Sequence, residues 1–165
     1  MNTGATRPRR VWLLATACAA VLAACATPPP LDARNDVWQG RMALNIDSLP
    51  PQRWHAGFAL MGNATNGELH VLSPLGSVLA KAQWQAGGAT LLRDGQTERF
   101  ASTDAMTLAL TGAAIPFSAL FAWLKGDDTP IDGWSLRRPS TRLLVAERNA
   151  PTPSVSLRVV LNAQP

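Results

Sequence analysis

Cys25 is the residue whose surroundings most clearly indicate a chemical modification. It ends the segment Leu22-Ala23-Ala24-Cys25, in which small residues directly precede the thiol. An uncharged apolar run over residues 11–24, too short to span a bilayer as a permanent helix, follows the basic residues Arg7, Arg9 and Arg10. This order predicts that residues 1–24 are a lipoprotein signal peptide and that Cys25 is the lipidated first residue of the mature chain.

Lipidation at Cys25 would give the protein a membrane anchor. The thiol would carry a diacylglycerol and the amine an acyl chain, and several chains anchor a protein more firmly than one. The alternatives are an ordinary secretory signal cut near Ala24 and an anchor that is not cleaved.

The residues that usually support catalysis or metal binding do not form recognisable motifs. His55 and His70 are the only histidines, and neither has another histidine or a cysteine at metal-ligand spacing. Asp127, Asp128 and Asp132 stand among glycine and proline residues, which favours a solvated turn over paired catalytic carboxylates. There is also no glycine-rich phosphate loop and no nucleophile elbow. We therefore expect no enzyme, no catalytic residue, no metal and no cofactor.

The composition fits a single domain without a nucleic-acid partner. The chain has 165 residues, and removing residues 1–24 leaves 141, which suffices for one domain with a core. Without the three signal arginines, twelve Lys and Arg face 11 Asp and Glu, so the net charge falls from +4 to +1. No basic stripe interleaves with aromatic residues. Cys18 leaves with the signal peptide and Cys25 is acylated, so no intramolecular disulfide is expected.

Two kinds of segment follow Cys25. Residues 25–36 lack apolar periodicity, and Pro28 to Pro30 favour an extended, stiff backbone, so we interpret this segment as a tether. Beyond it, apolar residues alternate with polar ones in runs that end at Gly or Asn, which predicts β-strands and turns. The predicted strands span residues 38–46, 53–61, 68–73, 78–85, 89–93, 97–101, 134–136, 142–148 and 154–161.

Two helices interrupt the predicted strands. Ser102-Thr103-Asp104 is an N-cap cluster, and the helical spacing that follows it ends at Gly112. Pro116 suits the first position of a second helix that Gly126 closes. A long antiparallel sheet with this helical pair in mid-sequence predicts that the sheet curls and that the helices cover its concave apolar face.

The interior of the curled sheet is the candidate ligand site. Aromatic and leucine residues either fill it or line a cavity for a lipid-like ligand, since many small residues lie between them. The candidate cavity and lid residues are Trp54, Phe58, Phe117, Leu120, Phe121, Trp123 and Leu124.

A turn between two predicted strands carries an apolar residue at its tip. In Leu72-Ser73-Pro74-Leu75-Gly76-Ser77, Pro74 and Gly76 force the turn and Leu75 occupies the tip. Hairpin tips are normally polar, so Leu75 either folds back onto the core or stays exposed to enter an acyl-chain layer. Burying one leucine is worth roughly 2 kcal/mol, which is enough for local contact with a bilayer but too little to anchor a protein.

Three motifs together resemble those of the LolB family of outer-membrane lipoprotein receptors. The first motif is Cys25 with its preceding residues, similar to the family's lipobox, followed by Val37-Trp38-Gln39-Gly40-Arg41-Met42, similar to its Trp-x-Gly-Arg opening strand. Ser73-Pro74-Leu75-Gly76 looks like its protruding loop. The most specific match is residues 110–126, Leu-Thr-Gly-Ala-Ala-Ile-Pro-Phe-Ser-Ala-Leu-Phe-Ala-Trp-Leu-Lys-Gly, which resembles the family's lid helix.

The resemblance extends over nearly the whole mature chain and implies a fold and a function. The implied fold of residues 37–165 is a mainly β, curved antiparallel half-open β-barrel whose helical lid encloses an apolar cavity. The implied function is to receive lipoproteins from the periplasmic carrier LolA and to insert them into the inner leaflet of the outer membrane. Pro74, Leu75 and Gly76 would contact the leaflet, and the cavity would hold the acyl chains of client lipoproteins.

The same resemblance implies a monomer that is lipid-anchored on the periplasmic face of the outer membrane. Ala26 is not the aspartate that favours inner-membrane retention in enteric bacteria. The chain is shorter than is usual in the family, and the difference falls between the lid helix and Asp132-Gly133-Trp134. The alternative function is a lipid-binding or scaffolding envelope lipoprotein of the same fold that does not hand cargo on.

Overall fold

The alternating apolar pattern after the tether forms strands, and the two capped segments form helices. The computed structural model describes Met1, residues 37–129, Ile131 and residues 133–163. The rest of the predicted signal peptide, Cys25, the tether and Asp132 lie outside the described residues. The elements are β1 (Val37–Ile46), β2 (Gln52–Gly62), β3 (Gly67–Leu72), β4 (Val78–Gln85), β5 (Gly88–Arg93), β6 (Gln96–Phe100), α1 (Thr103–Thr111), α2 (Phe117–Leu124), β7 (Ser135–Ser140), β8 (Leu143–Arg148) and β9 (Val155–Leu161).

The strands make one antiparallel sheet in the order β6-β5-β4-β3-β2-β1-β9-β8-β7. The first six strands form a meander, and β9 returns to pair with the other side of β1. The two edges, β6 and β7, do not pair with each other, so the sheet is open rather than closed. The predicted antiparallel, half-open β architecture with two helices is confirmed.

Both helices lie close to where the sequence places them. The Ser102 hydroxyl accepts a hydrogen bond from the Ala105 amide, and Gly112 ends α1 in the left-handed conformation at φ +75°. A residue other than glycine would be strained there. Among the described residues, no helix is long and apolar enough to cross a membrane.

The concave face of the sheet carries the core. Side chains that alternate along β1, such as Trp38, Leu44 and Ile46, are buried on this face. Their neighbours on β9, Leu157 and Val155, are buried opposite them. Helix α2 packs on the same face, so its aromatic side chains share one core cluster with the strands.

Gly40 allows β1 and β9 to approach each other closely. A Cβ atom at this position would lie 2.1 Å from the Val160 carbonyl oxygen and 3.0 Å from the Leu161 Cα. Both of these are backbone atoms, which cannot move without disturbing the ladder between the strands. Glycine in the middle of a strand is otherwise unfavourable, so its presence here reflects this close approach.

Gly40→Ala is expected to lower the free energy of unfolding by about 1–3 kcal/mol, because the methyl group overlaps backbone. The matched control is Gly57→Ala on β2, whose new Cβ would lie 3.2 Å from the Leu72 Cβ, a side-chain atom that can shift. Urea unfolding of the two variants and the wild type measures the difference. Equal stability of Gly40→Ala and wild type would show that the close approach does not constrain the sheet.

Candidate functional site

The face beneath α2 is filled by aromatic rings. Phe121 is only 3% exposed and its ring centroid lies 5.4 Å from that of Trp38, in an edge-to-face arrangement. Phe117 meets Trp84 in the same way at 4.9 Å. Such edge-to-face pairs stabilise a core beyond the area they bury. Of the two possibilities left by the sequence, this part of the interior is therefore packed.

Most of the candidate cavity and lid residues meet in this cluster. Phe58 on β2 and Trp123 on α2 are buried, as is Leu124, while Leu120 is partly buried and packs against the same core. Residues of α2 thus reach strands that are far from it in sequence. The cluster therefore has two layers. Helix α2 supplies one layer, as a lid, and the concave face of the sheet supplies the other.

Trp54, which was also predicted to line the cavity or lid, is not buried in this cluster. It shares the concave face with Phe58 because the two lie four residues apart on β2, but its side chain is 50% exposed. The reason is its position near the beginning of β2, next to Leu44 of β1, beyond the part of the sheet where α2 contributes its aromatic rings. Period-two alternation identifies the face of a strand but not how far along the strand the lid extends.

A half-buried apolar strip joins Trp54 to the packed cluster. It follows the concave face across the first four strands of the meander, where Ala56 pairs with Met42 and Val71 pairs with both Phe58 and Ala80. These side chains are small or flexible, and each of them apart from the buried Phe58 is partly exposed. The concave face therefore has a lidded part and an apolar part that remains accessible to an apolar ligand.

Two arginines connect the lid segment to the sheet, and the sequence analysis missed both roles. Arg138 on β7 donates from Nη2 to the Trp123 carbonyl oxygen at 2.6 Å and forms an ion pair with Asp128. Arg148 on β8 donates from Nη1 to the Ala114 carbonyl oxygen at 3.5 Å, in the link between α1 and α2. The sequence did contain a signal for each arginine. Each stands two residues after an inward-facing apolar residue of its strand, and residues with this spacing share a face.

The Ser73–Ser77 turn is closed by its own hydrogen bonds. The Ser73 hydroxyl accepts from the Leu75 amide at 3.3 Å and from the Ser77 amide at 3.1 Å. The Ser73 amide donates to the Ser77 carbonyl at 2.8 Å, and Gly76 adopts φ +85°. This geometry holds Leu75 away from the core at 95% exposure, so of the two alternatives the exposed one is observed.

The polar side chains on β3 and β4 lie on the other face of the sheet. Glu68 accepts from His70, from Gln83 at 2.7 Å and from Lys81 at 2.9 Å. Burial raises the pKa of Glu68, but these hydrogen bonds and the Lys81 charge outweigh it, so the pKa lies below its usual value. His55 is exposed on the face opposite Phe58. Neither histidine thus joins the concave face.

Comparisons with known proteins agree with this architecture. The family model "Outer membrane lipoprotein LolB" matches residues 37–152. A Bordetella petrii protein named outer-membrane lipoprotein LolB is 29% identical, with 93% of this chain and 92% of the relative aligned. Proteins of the same name from Chromobacterium violaceum and Azoarcus sp. are 32% and 30% identical, and the alignments cover 74% and 75% of this chain and 70% and 68% of the relatives.

Phe121→Ala is expected to lower the free energy of unfolding by about 3–5 kcal/mol, because the ring fills a packed core. Leu120→Ala, which removes a partly buried side chain from the same helix, serves as the control and is expected to have a smaller effect. Urea unfolding of the purified variants gives both values. A loss below about 2 kcal/mol for Phe121→Ala would indicate that the ring borders a hollow.

Arg138→Met is expected to loosen the end of α2, because the Trp123 carbonyl loses its charged donor. Since Asp128 is half exposed, the expected loss of stability is about 1–2 kcal/mol. Arg137→Met is the matched control: that neighbouring arginine pairs with Glu147 at 3.1 Å on the surface and does not touch the lid. Hydrogen–deuterium exchange over residues 117–128 measures the local effect. Equal exchange rates in the two variants would argue against the role of Arg138.

Proposed function

The chain belongs to the LolB family of outer membrane lipoproteins, and on this premise we propose that it receives lipoproteins from LolA and inserts them into the inner leaflet of the outer membrane. The main support is the arrangement of the concave face. It combines a helical lid, an accessible apolar strip and an exposed leucine turn on neighbouring strands of one sheet. Transfer of this kind makes and breaks no covalent bond, so we propose no enzymatic activity.

The proposed anchoring follows from the N-terminal sequence. Residues 1–24 are removed as a signal peptide, Cys25 carries the lipid, and residues 25–36 connect it to the domain of residues 37–165. The lipid holds the protein on the periplasmic face of the outer membrane, in keeping with the names of its relatives. Ala26 after the lipidated cysteine also favours this location under the family's sorting rule.

The concave face is the proposed host for the acyl chains of client lipoproteins. Because Phe117 and Phe121 already fill the space under α2, an incoming chain first occupies the strip at Ala56, Val71 and Ala80 and then displaces the lid. Each CH₂ group kept out of water contributes about 0.8 kcal/mol, so an acyl chain can compensate for the aromatic contacts it replaces. The chain then moves between apolar hosts without exposure to water.

Leu75 is the proposed contact with the leaflet. Its turn is held by internal hydrogen bonds, so the side chain can enter lipid without disturbing the sheet. Pro74 and Gly76 shape the turn around it. One leucine supplies roughly 2 kcal/mol, which favours brief contact over permanent insertion.

A scaffolding or lipid-binding lipoprotein that does not release cargo is the second candidate. The packed aromatic cluster favours it, because a tightly closed interior disfavours cargo uptake. Incubating the lipidated protein in vesicles with LolA that carries a radiolabelled lipoprotein separates the two candidates. Transfer of label to the protein and then to the vesicle lipid supports the receptor, whereas label that stays on LolA supports the scaffold.

Leu75→Glu is expected to leave folding and cargo uptake from LolA intact but to slow delivery to the membrane, because a charged tip does not enter lipid. The matched control is Leu108→Glu, which places the same charge at an exposed leucine of α1. The transfer assay with LolA and vesicles reports uptake and delivery separately. Unfolding of Leu75→Glu, or delivery at the rate of the control, would contradict the proposed contact.

A further inference from the structure

A second hairpin tip at the same end of the sheet also presents an apolar residue. In an antiparallel meander, the β1–β2 turn and the β3–β4 turn lie at one end and the β2–β3 turn at the other. The β1–β2 turn contains Leu49, whose side chain is fully exposed. The β5–β6 turn, which carries the exposed Asp94, and the β8–β9 turn also lie at this end. Of the hairpins at this end, the β1–β2 and β3–β4 hairpins each carry an exposed leucine at the tip, where polar residues are usual.

Trp54 lies between the two tips. The pairing of β2 with β3 ends at Gly57 and Leu72, so β2 extends five residues beyond its partner. The half-exposed indole therefore lies on the part of β2 beyond the end of β3, on the strand that leads back to Leu49, and β3 runs from its last paired residue straight into the Leu75 turn.

The tips fit a lipid surface better than a protein partner. Ser73-Pro74-Leu75-Gly76-Ser77 contains no charged residue, and in the β1–β2 turn the one charged residue, Asp47, stands at the end of β1, two residues before Leu49. The leucine tips themselves are thus uncharged. A protein partner needs a continuous surface of about 800 Å² on each side, whereas a fluid leaflet accommodates two separate side chains. Tryptophan is also enriched where membrane meets water, because its ring is apolar and its N–H is polar.

We propose that Leu49 and Leu75 enter the leaflet together, with Trp54 at the lipid–water boundary between them. The inference rests on the proposed function for the contact of Leu75 and adds the second tip. Two contacts limit the rotation of the sheet against the membrane to rotation about the line that joins the tips, whereas one contact leaves every rotation free. The accessible strip, which ends at Trp54, would then open toward the leaflet that receives the cargo.

The test uses the purified lipidated protein in vesicles of phosphatidylethanolamine and phosphatidylglycerol that contain nitroxide-labelled lipids. A polarity-sensitive fluorophore is attached to Leu49→Cys, Trp54→Cys and Leu75→Cys in turn, with Leu108→Cys as the exposed control. Unsubstituted protein, labelled in parallel, gives the background. We expect lipid quenching at 49 and 75 far above the control, with an intermediate value at 54. Circular dichroism verifies that each labelled protein is folded.

Quenching at 75 with only the control level at 49 would overturn the two-tip contact, as would quenching at 49 alone. If neither tip is quenched by lipid but both become protected when LolA is added, the tips are a carrier-docking surface and the proposed Leu75 contact also falls. Because cargo uptake is not part of this measurement, its outcome does not depend on whether the protein accepts lipoproteins.

Delivery of cargo gives a second, functional readout. Leu49→Ser and Leu75→Ser are each expected to slow delivery about tenfold, and the double variant should show roughly the product, because the contacts are separate. Leu108→Ser is the control and should deliver at the wild-type rate. Wild-type delivery by Leu49→Ser would overturn the role of the second tip, while cargo uptake by the same variant reports independently on the proposed function.

Discussion

The packing of α2 against the concave face is the interaction on which the rest of the structure depends. An open nine-stranded sheet leaves a large apolar face, and Phe117 and Phe121 cover it through edge contacts with Trp84 and Trp38. These rings contact Trp84 on β4 and Trp38 on β1, which lie three places apart in the sheet order. The helix therefore holds the curl of the sheet as well as covering its concave face. Without this layer, the concave surface would be exposed to water.

Under the proposed function, the same packing competes with the cargo, because every contact that stabilises the closed lid must be replaced when an acyl chain enters. Arg138 and Arg148 attach the lid segment through hydrogen bonds to backbone carbonyls, and the Nε of Arg148 is buried without a partner among the described residues.

The two ends of the sheet carry different groups of residues. The apolar strip, Trp54 and the exposed tips Leu49 and Leu75 all lie toward one end, while Trp38 and Trp84 lie toward the other. Antiparallel connectivity produces this division, because alternate turns must lie at the same end. The proposed ligand site and the proposed membrane contact thereby lie toward the same end of the sheet.

By itself, the sequence determined the secondary structure, the antiparallel fold and the family. Strand patterns located eight of the nine described strands closely, while the predicted strand at 134–136 overlaps only the first two residues of β7. The Ser102 and Gly112 caps located α1, because such signals depend only on neighbouring residues. It also identified Phe58, Phe117 and Phe121 as interior. The exposure of Trp54 and Leu75, the roles of Arg138 and Arg148, and the packing of the interior were decided only by the tertiary structure. The exposure of Leu75 follows from the hydrogen bonds that close its own turn. The others depend on which part of the sheet the lid covers, and that is set by contacts between residues far apart in the chain.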